Sequence, residues 1–150
     1  MDDNKHKAMQ LAIRYLKYKP RTREEVRKRL SRAKYDMDLI SEVLIELEKE
    51  NWFDELSLAR QWIEERLRTR GLSLSAIRQE LRRKGILEEV IDMAISEVSY
   101  DEQEVVFSLL DKKVKPGKDE KWILALLMRR GYPYEKALFY LRGWKQKEHE

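Results

Sequence analysis

A chain of 150 residues suffices for one ordinary domain or for a short array of small units that share their hydrophobic surfaces; an apolar share of 42% permits a core, and a charged share of 40% gives a densely ionic surface. The absence of cysteine excludes disulfides and thiolate metal sites, and two histidines near opposite ends, His6 and His149, exclude a histidine-based metal or acid–base cluster. The net charge is only +4, no apolar run approaches the ~20 residues of a membrane span, and the opening "MDDNKHKAMQLAIRYL" lacks the apolar core of a signal peptide, so a cytoplasmic protein is expected.

Along the chain the charge alternates in blocks. Residues 14 to 34 carry a net of +8, residues 35 to 59 a net of −7, residues 60 to 84 a net of +5, residues 85 to 104 a net of −7 and residues 105 to 150 a net of +5. Leu, Glu, Lys and Arg are good helix formers while Gly (5) and Pro (3) are scarce, and no segment alternates with period two for long enough to argue a strand. In the first block Pro20 and Thr22 stop one helix and cap the next, "RTREEVRKRLSRAKYDMDLI". From about Asp54 to Arg70 the spacing of Leu58, Ala59, Trp62, Ile63 and Leu67 predicts one apolar stripe, with Asp54 as N-cap and Gly71 as stop. A second helix follows from about Ser73, its cap, to Lys84, ending at Gly85, with Ile77 and Leu81 facing the core. A third, about Glu88 to Glu97, opens with acidic residues that suit the positive end of the helix dipole and is expected to bury Val90, Ile91, Ala94, Ile95 and Val98. Pro116, Gly117 and Asp119 repeat the stop-and-cap signal near the end of the chain.

Sliding the chain along itself shows why these signals recur. At an offset of 51 residues, without a gap, Ala8 falls on Ala59, Gln10 on Gln61, Leu16 on Leu67, Thr22 on Ser73, Val26 on Ile77, Arg27 on Arg78, Leu30 on Leu81, Arg32 on Arg83 and Ile40 on Ile91. At a further offset of 46, Ile77 falls on Ile123, Leu81 on Leu127, Arg83 on Arg129 and Gly85 on Gly131; Lys34 stands where the later copies have glycine. The expected fold is therefore all-α: three tandem three-helix repeats, 1–51, 52–99 and 100–150, in an elongated, curved array, because three helices of ~21 Å make a unit too small to bury its apolar area alone.

Nothing in the sequence assembles an active site, so no enzyme and no cofactor is expected. The carboxylate pairs Glu24/Glu25, Glu64/Glu65 and Glu88/Glu89 are adjacent and diverge by 100° on a helix, and "KPGK" at 115–118 has too little of a phosphate-loop pattern. Trp62 and Trp122 lie on apolar stripes and are expected in the core. Trp52 and Phe53 are expected to staple one unit to the next, and Trp144 lies in a charged C-terminal tail.

The arginines repeat more tellingly. With Val26 inward, Leu30 lies 40° away on the helical wheel at 100° per residue while Arg32 points to solvent, and Arg83 and Arg129 hold the same place in their copies. The candidate partner-binding residues are Arg27, Arg32, Arg66, Arg68, Arg70, Arg78, Arg82, Arg83, Lys84 and Arg129.

The stretch "NWFDELSLARQWIEERLRTRGLSLSAIRQELRRKGILEEVIDMAISEV", residues 51–98, resembles the middle of the RecX family, small cytoplasmic regulators of the bacterial recombinase RecA. The residues that carry the resemblance are Asp54, Ala59, Trp62, Arg66 and Gly71, then the whole of Ile77 to Ile86, and, in the first repeat, Arg21 to Val26 with Leu30. The resemblance implies a monomeric repeat protein that binds in the groove of the RecA–DNA filament, its basic residues meeting RecA or DNA phosphates, and inhibits ATPase, strand exchange and co-protease activity. Two alternatives stay open: a direct DNA-binding protein using basic helices of helix-turn-helix-like units, and an interaction scaffold with no nucleic-acid context. Against the first, the third helix of the first two units, which would enter the groove, is the acidic one.

Overall fold

The caps set the pattern of the chain before packing does. In the computed structural model, which describes residues 3–148, every regular element is a helix: α1 (Asp3–Tyr18), α2 (Arg23–Arg32), α3 (Met37–Lys49), α4 (Glu55–Arg70), α5 (Leu74–Arg83), α6 (Glu88–Ser96), α7 (Glu102–Lys113), α8 (Glu120–Arg129) and α9 (Tyr134–Glu148). Thr22 and Glu25 form a reciprocal capping box at the start of α2. Ser73 accepts from the N–H of Ala76 at 3.1 Å, and Asp119 from that of Trp122 at 2.9 Å, at the equivalent starts of α5 and α8. Asp54 caps α4 through the N–H of Ser57 at 3.1 Å, and Asp36 caps α3 through that of Leu39 at 2.8 Å.

The ends of α2, α5 and α8 are alike too. Each closes with the same pair of backbone bonds: Tyr35 N–H to Leu30 and Lys34 N–H to Ser31, Ile86 to Leu81 and Gly85 to Arg82, Tyr132 to Leu127 and Gly131 to Met128. The pivot residue is left-handed in all three, with φ of 74° at Lys34, 87° at Gly85 and 99° at Gly131. The sequence departure at Lys34 therefore leaves the turn unchanged. The exposed lysine accepts a backbone conformation that costs a side-chain-bearing residue about 1 kcal/mol.

Two compact units are present: residues up to Arg60 together with Leu81–Ala94, and Gln61–Glu80 together with Ile95 onward. The helices of the middle set are thus divided between the units. In the first unit Val26 and Leu30 of α2 are buried with Leu16, Val43, Leu44 and Leu47, and Trp52 and Phe53 lie half-buried against this cluster. In the second, Phe107, Leu110, Ile123, Leu127, Tyr132, Leu141 and Trp144 are buried together. Of the residues expected inward on α6, Ile91 and Ala94 are buried, whereas Val90, Ile95 and Val98 are only half-buried: the helix stops at Ser96, and nine residues provide a narrow buried stripe.

One joint recurs in both units. Thr22, fully buried, donates from Oγ1 to the carbonyl of Lys84 at 2.7 Å while accepting from the N–H of Glu25. The next residue, Gly85, lies so close to α2 that an added Cβ would stand 2.3 Å from Cβ of Glu24. In the second unit the N–H of Ser73 donates to the carbonyl of Arg130 at 2.9 Å, Tyr132 donates to the carbonyl of Gly71 at 2.8 Å, and a Cβ on Gly131 would stand 2.3 Å from Oγ of Ser73. In each case the turn closing one second helix rests on the cap opening another, so the repeat in sequence is also a repeated contact.

Candidate partner-binding surface

The arginines and lysine singled out from sequence fall into two groups. Several are committed to the fold. The guanidinium of Arg66 lies 4.0 Å over the Trp62 ring, and its Nε donates to Glu80 at 3.2 Å; Trp62 donates to the same carboxylate at 3.0 Å. With only 15% of its side chain exposed, Arg66 is a packing residue. Arg27 is held by Glu24 one turn earlier through Nε at 2.8 Å, and this bond holds the Glu24 carboxyl below its usual range. Lys84 pairs with Glu25 at 3.2 Å, Arg82 pairs with Glu88, and Arg78 is half-buried and partnered.

Arg32, Arg68, Arg70, Arg83 and Arg129 are exposed. Three of these come together in the second unit. Arg70 and Arg129 line a cleft of about 440 Å³ with Thr69, Leu72, Lys113 and Arg130. A smaller depression beside it shares Thr69 and Lys113 and adds Arg68 and Lys112. The cations arrive at the C-terminal ends of α4, α7 and α8, where helix dipoles favour positive charge. No carboxylate lines either hollow. Burial pushes the Arg130 guanidinium below its ordinary pKa, and the charges of Arg70 and Arg129 push it further the same way. Arg130 Nη1 also donates to the carbonyl of Arg70, which ties the C-terminal ends of α4 and α8 together.

The sequence reading missed Lys112, Lys113 and Arg130. For Arg130 the signal was present: the offset of 46 that relates Arg83 to Arg129 also relates Lys84 to Arg130. The same offset sets Arg66 on Lys112, whereas Lys113 falls on Leu67 and reaches the cleft only through the packing of α7.

The tryptophans need correction. Trp144 is 5% exposed and donates to Asp111 at 2.8 Å, so the charged residues around it in sequence conceal a core position on α9. Trp62 and Trp122, expected in the core, are half-buried at its margin, each with a cation over its ring: Arg66, and Lys118 at 5.0 Å. The adjacent carboxylates do diverge, Glu24 toward Arg27 and Glu25 toward Thr22 and Lys84. His6 is exposed on α1, and His149 lies outside the described residues. Among the described residues no group of three His, Cys, Asp or Glu side chains is placed to hold a metal ion, and no helix is long and apolar enough to cross a membrane.

Comparison with known proteins agrees with the helical plan. Residues 8–47 match the model of the first three-helix domain of RecX, and residues 54–95 that of the second. The chain is 32% identical over 134 residues to the regulatory protein RecX of Amycolatopsis mediterranei, covering 85% of this chain and 77% of that one. It is 29% identical to the regulatory protein RecX of Streptomyces coelicolor, over 99% of this chain and 82% of that one. A crystal structure of RecX from Lactobacillus salivarius superposes with a TM-score of 0.78 at 22% identity, over 97% of this chain and 99% of that one, and so shares the fold. The cap-and-turn repeat, the all-helical architecture and these matches together place the chain in the RecX family of regulatory proteins.

Proposed function

We propose that this chain is a cytoplasmic, monomeric regulator of RecA that needs no cofactor. It binds in the groove of the RecA–DNA filament and suppresses ATPase, strand-exchange and co-protease activity in DNA repair and the SOS response. Beyond family membership, one observation supports the reading: Arg32, Arg83 and Arg129, equivalent by repeat, are all exposed at or beside the ends of equivalent helices. A filament offers the same surface at every protomer, and a ligand whose repeats, 1–51, 52–99 and 100–150, each carry the same cation gains effective concentration with every added contact.

The test is RecA's single-strand-dependent ATPase with and without the protein. Arg32→Glu with Arg83→Glu is expected to abolish inhibition while thermal unfolding moves by less than the equivalent of ~0.5 kcal/mol per exposed site. Full inhibition by a folded double variant would overturn the assignment of this face.

A further inference from the structure

We propose that the groove between α7 and α9 is a docking site for an amphipathic helix of a partner protein, one with large apolar side chains on one face, an acid in its first turn and a base in its last, lying antiparallel to α9. The groove has a volume of about 490 Å³, and its lining includes Phe107 of α7 and Glu135, Leu138, Phe139, Arg142 and Gly143 of α9. The α9 residues follow the spacing of one helix face, so they form a single stripe ~12 Å long. At its centre Phe139 is 68% exposed, yet its ring is held in place: it meets Tyr140 edge to face at 5.7 Å, and Tyr140 donates to Glu102 at 2.7 Å. A fixed, exposed aromatic beside a hollow is what a helix-in-groove contact uses as its anchor.

Gly143 indicates that the hollow serves something outside the fold. Glycine inside a helix is less stable than alanine, and a Cβ here would stand 3.4 Å from Cζ of Phe107, an ordinary contact with the only side chain within 4 Å. Nothing within the unit requires the glycine, and the missing side chain leaves room over Phe107 for one from a partner. The charges then select that partner and its direction. On α9 Lys136 pairs with Glu102 at 2.8 Å and Lys145 with Glu120 at 3.1 Å, whereas Glu135 and Arg142, both exposed, have no side-chain partner among the described residues. These two stand seven residues apart, ~10 Å along the helix, on either side of Phe139. Helices ordinarily carry acids in the first turn and bases in the last; such a helix brings its acid to Arg142 and its base to Glu135 only when antiparallel to α9, the direction in which the two macrodipoles also attract. A second copy of this chain is the poorer occupant, because residues 105–150 carry a net charge of +5 and two copies repel.

The probe is a fluorescein-labelled Ala/Gln helical peptide carrying Glu and Lys seven residues apart, with Leu immediately before the Glu and three and four residues after it. Fluorescence anisotropy with the full chain, without RecA, is expected to show saturable binding; none up to about 1 mM would overturn the site. Phe139→Ala should weaken binding at least fivefold with little change in Tm, since the side chain is largely exposed. Gly143→Ala should raise the Tm of the free chain and weaken binding about threefold or more, a combination that a merely structural glycine would not give. Binding of both folded variants as tightly as wild type would overturn the groove, and a fall in Tm for Gly143→Ala would overturn the reading of that glycine. Arg142→Gln and a peptide with Gln for its Glu should each weaken binding about threefold and together no further; independent losses multiplying to about ninefold would overturn the antiparallel pairing. Sedimentation velocity should show the unaltered chain as a monomer at all concentrations; self-association that Phe139→Ala abolishes would make a second copy the occupant and overturn the proposal. Arg32, Arg83 and Arg129 take no part, so this site and the RecA reading can fail separately.

Discussion

Thr22 Oγ1 donates to the carbonyl of Lys84 at 2.7 Å across 62 residues of sequence, from a position with no solvent exposure. The same hydroxyl oxygen accepts from the N–H of Glu25, so one side chain both caps α2 and fastens the turn after α5. Thr22→Val keeps the shape but leaves a buried N–H and a carbonyl without that partner. We expect a loss of about 2–3 kcal/mol, from the cap and the unmet polar groups, and a fall in Tm of several degrees; Thr22→Ser should recover most of it. Differential scanning calorimetry of the three proteins checks this, and a Val variant as stable as wild type would show that the joint contributes nothing.

Gly85 and Gly117 are both left-handed, with φ of 87° and 93°, yet an added Cβ would meet Glu24 at 2.3 Å in the first and nothing within 4 Å in the second. Gly117→Ala should therefore cost about 1 kcal/mol, the backbone strain alone. Gly85→Ala should cost about 1–3 kcal/mol more, because the turn must back away from α2. Urea unfolding midpoints compare the two, and equal costs would refute close packing at this turn.

Arg66 and Arg68 are neighbours on α4 with different work. Arg66→Ala removes a guanidinium stacked on Trp62 and bonded to Glu80, and should destabilise by about 1–2 kcal/mol. Arg68→Ala, at an exposed position, should stay within about 0.5 kcal/mol. Thermal unfolding of both single variants decides the matter; the reverse order would mean that the stacked arrangement does not stabilise the fold.

Acid should separate Glu25 from Glu55. Burial acts to raise the Glu25 pKa but is outweighed by the Thr22 N–H bond and by Lys84, so the folded value is lowered. Its stabilisation is then fully present above the ordinary glutamate value of about 4.3 and disappears as pH falls through the lower folded value. The Tm advantage of wild type over Glu25→Gln should accordingly be largest near neutrality and shrink below about pH 4. At Glu55 burial dominates and raises the pKa, and its Oε2 is buried without a hydrogen-bond partner. Glu55→Gln should therefore leave stability unchanged or increase it at neutral pH, with the gap closing as acid protonates the wild-type carboxyl. A Tm series from pH 3 to 7 reads both signs, and a neutral-pH loss at Glu55 would contradict the burial argument.

Sequence by itself determined the helical class, the repeat, and the ends of the three middle helices, with the stops and caps at Pro20, Thr22, Pro116 and Asp119. These are local matters: Thr22, Ser73 and Asp119 reach N–H groups three residues away, Gly85 and Gly131 turn the chain where they stand, and the period of apolar residues fixes which side of each helix faces inward. Tertiary structure decided which cations remain available. Arg66 and Arg68 are alike in composition, yet Glu80 and Trp62 claim one and leave the other exposed; Lys84 looked like part of a basic face until Glu25, 59 residues earlier, met it. Trp144 read as tail until α9 folded it against the core beside Asp111. The basic cleft lies furthest from the sequence, because its walls come from the ends of three helices, and charges from residues 70, 113 and 129–130 converge only once those helices have packed.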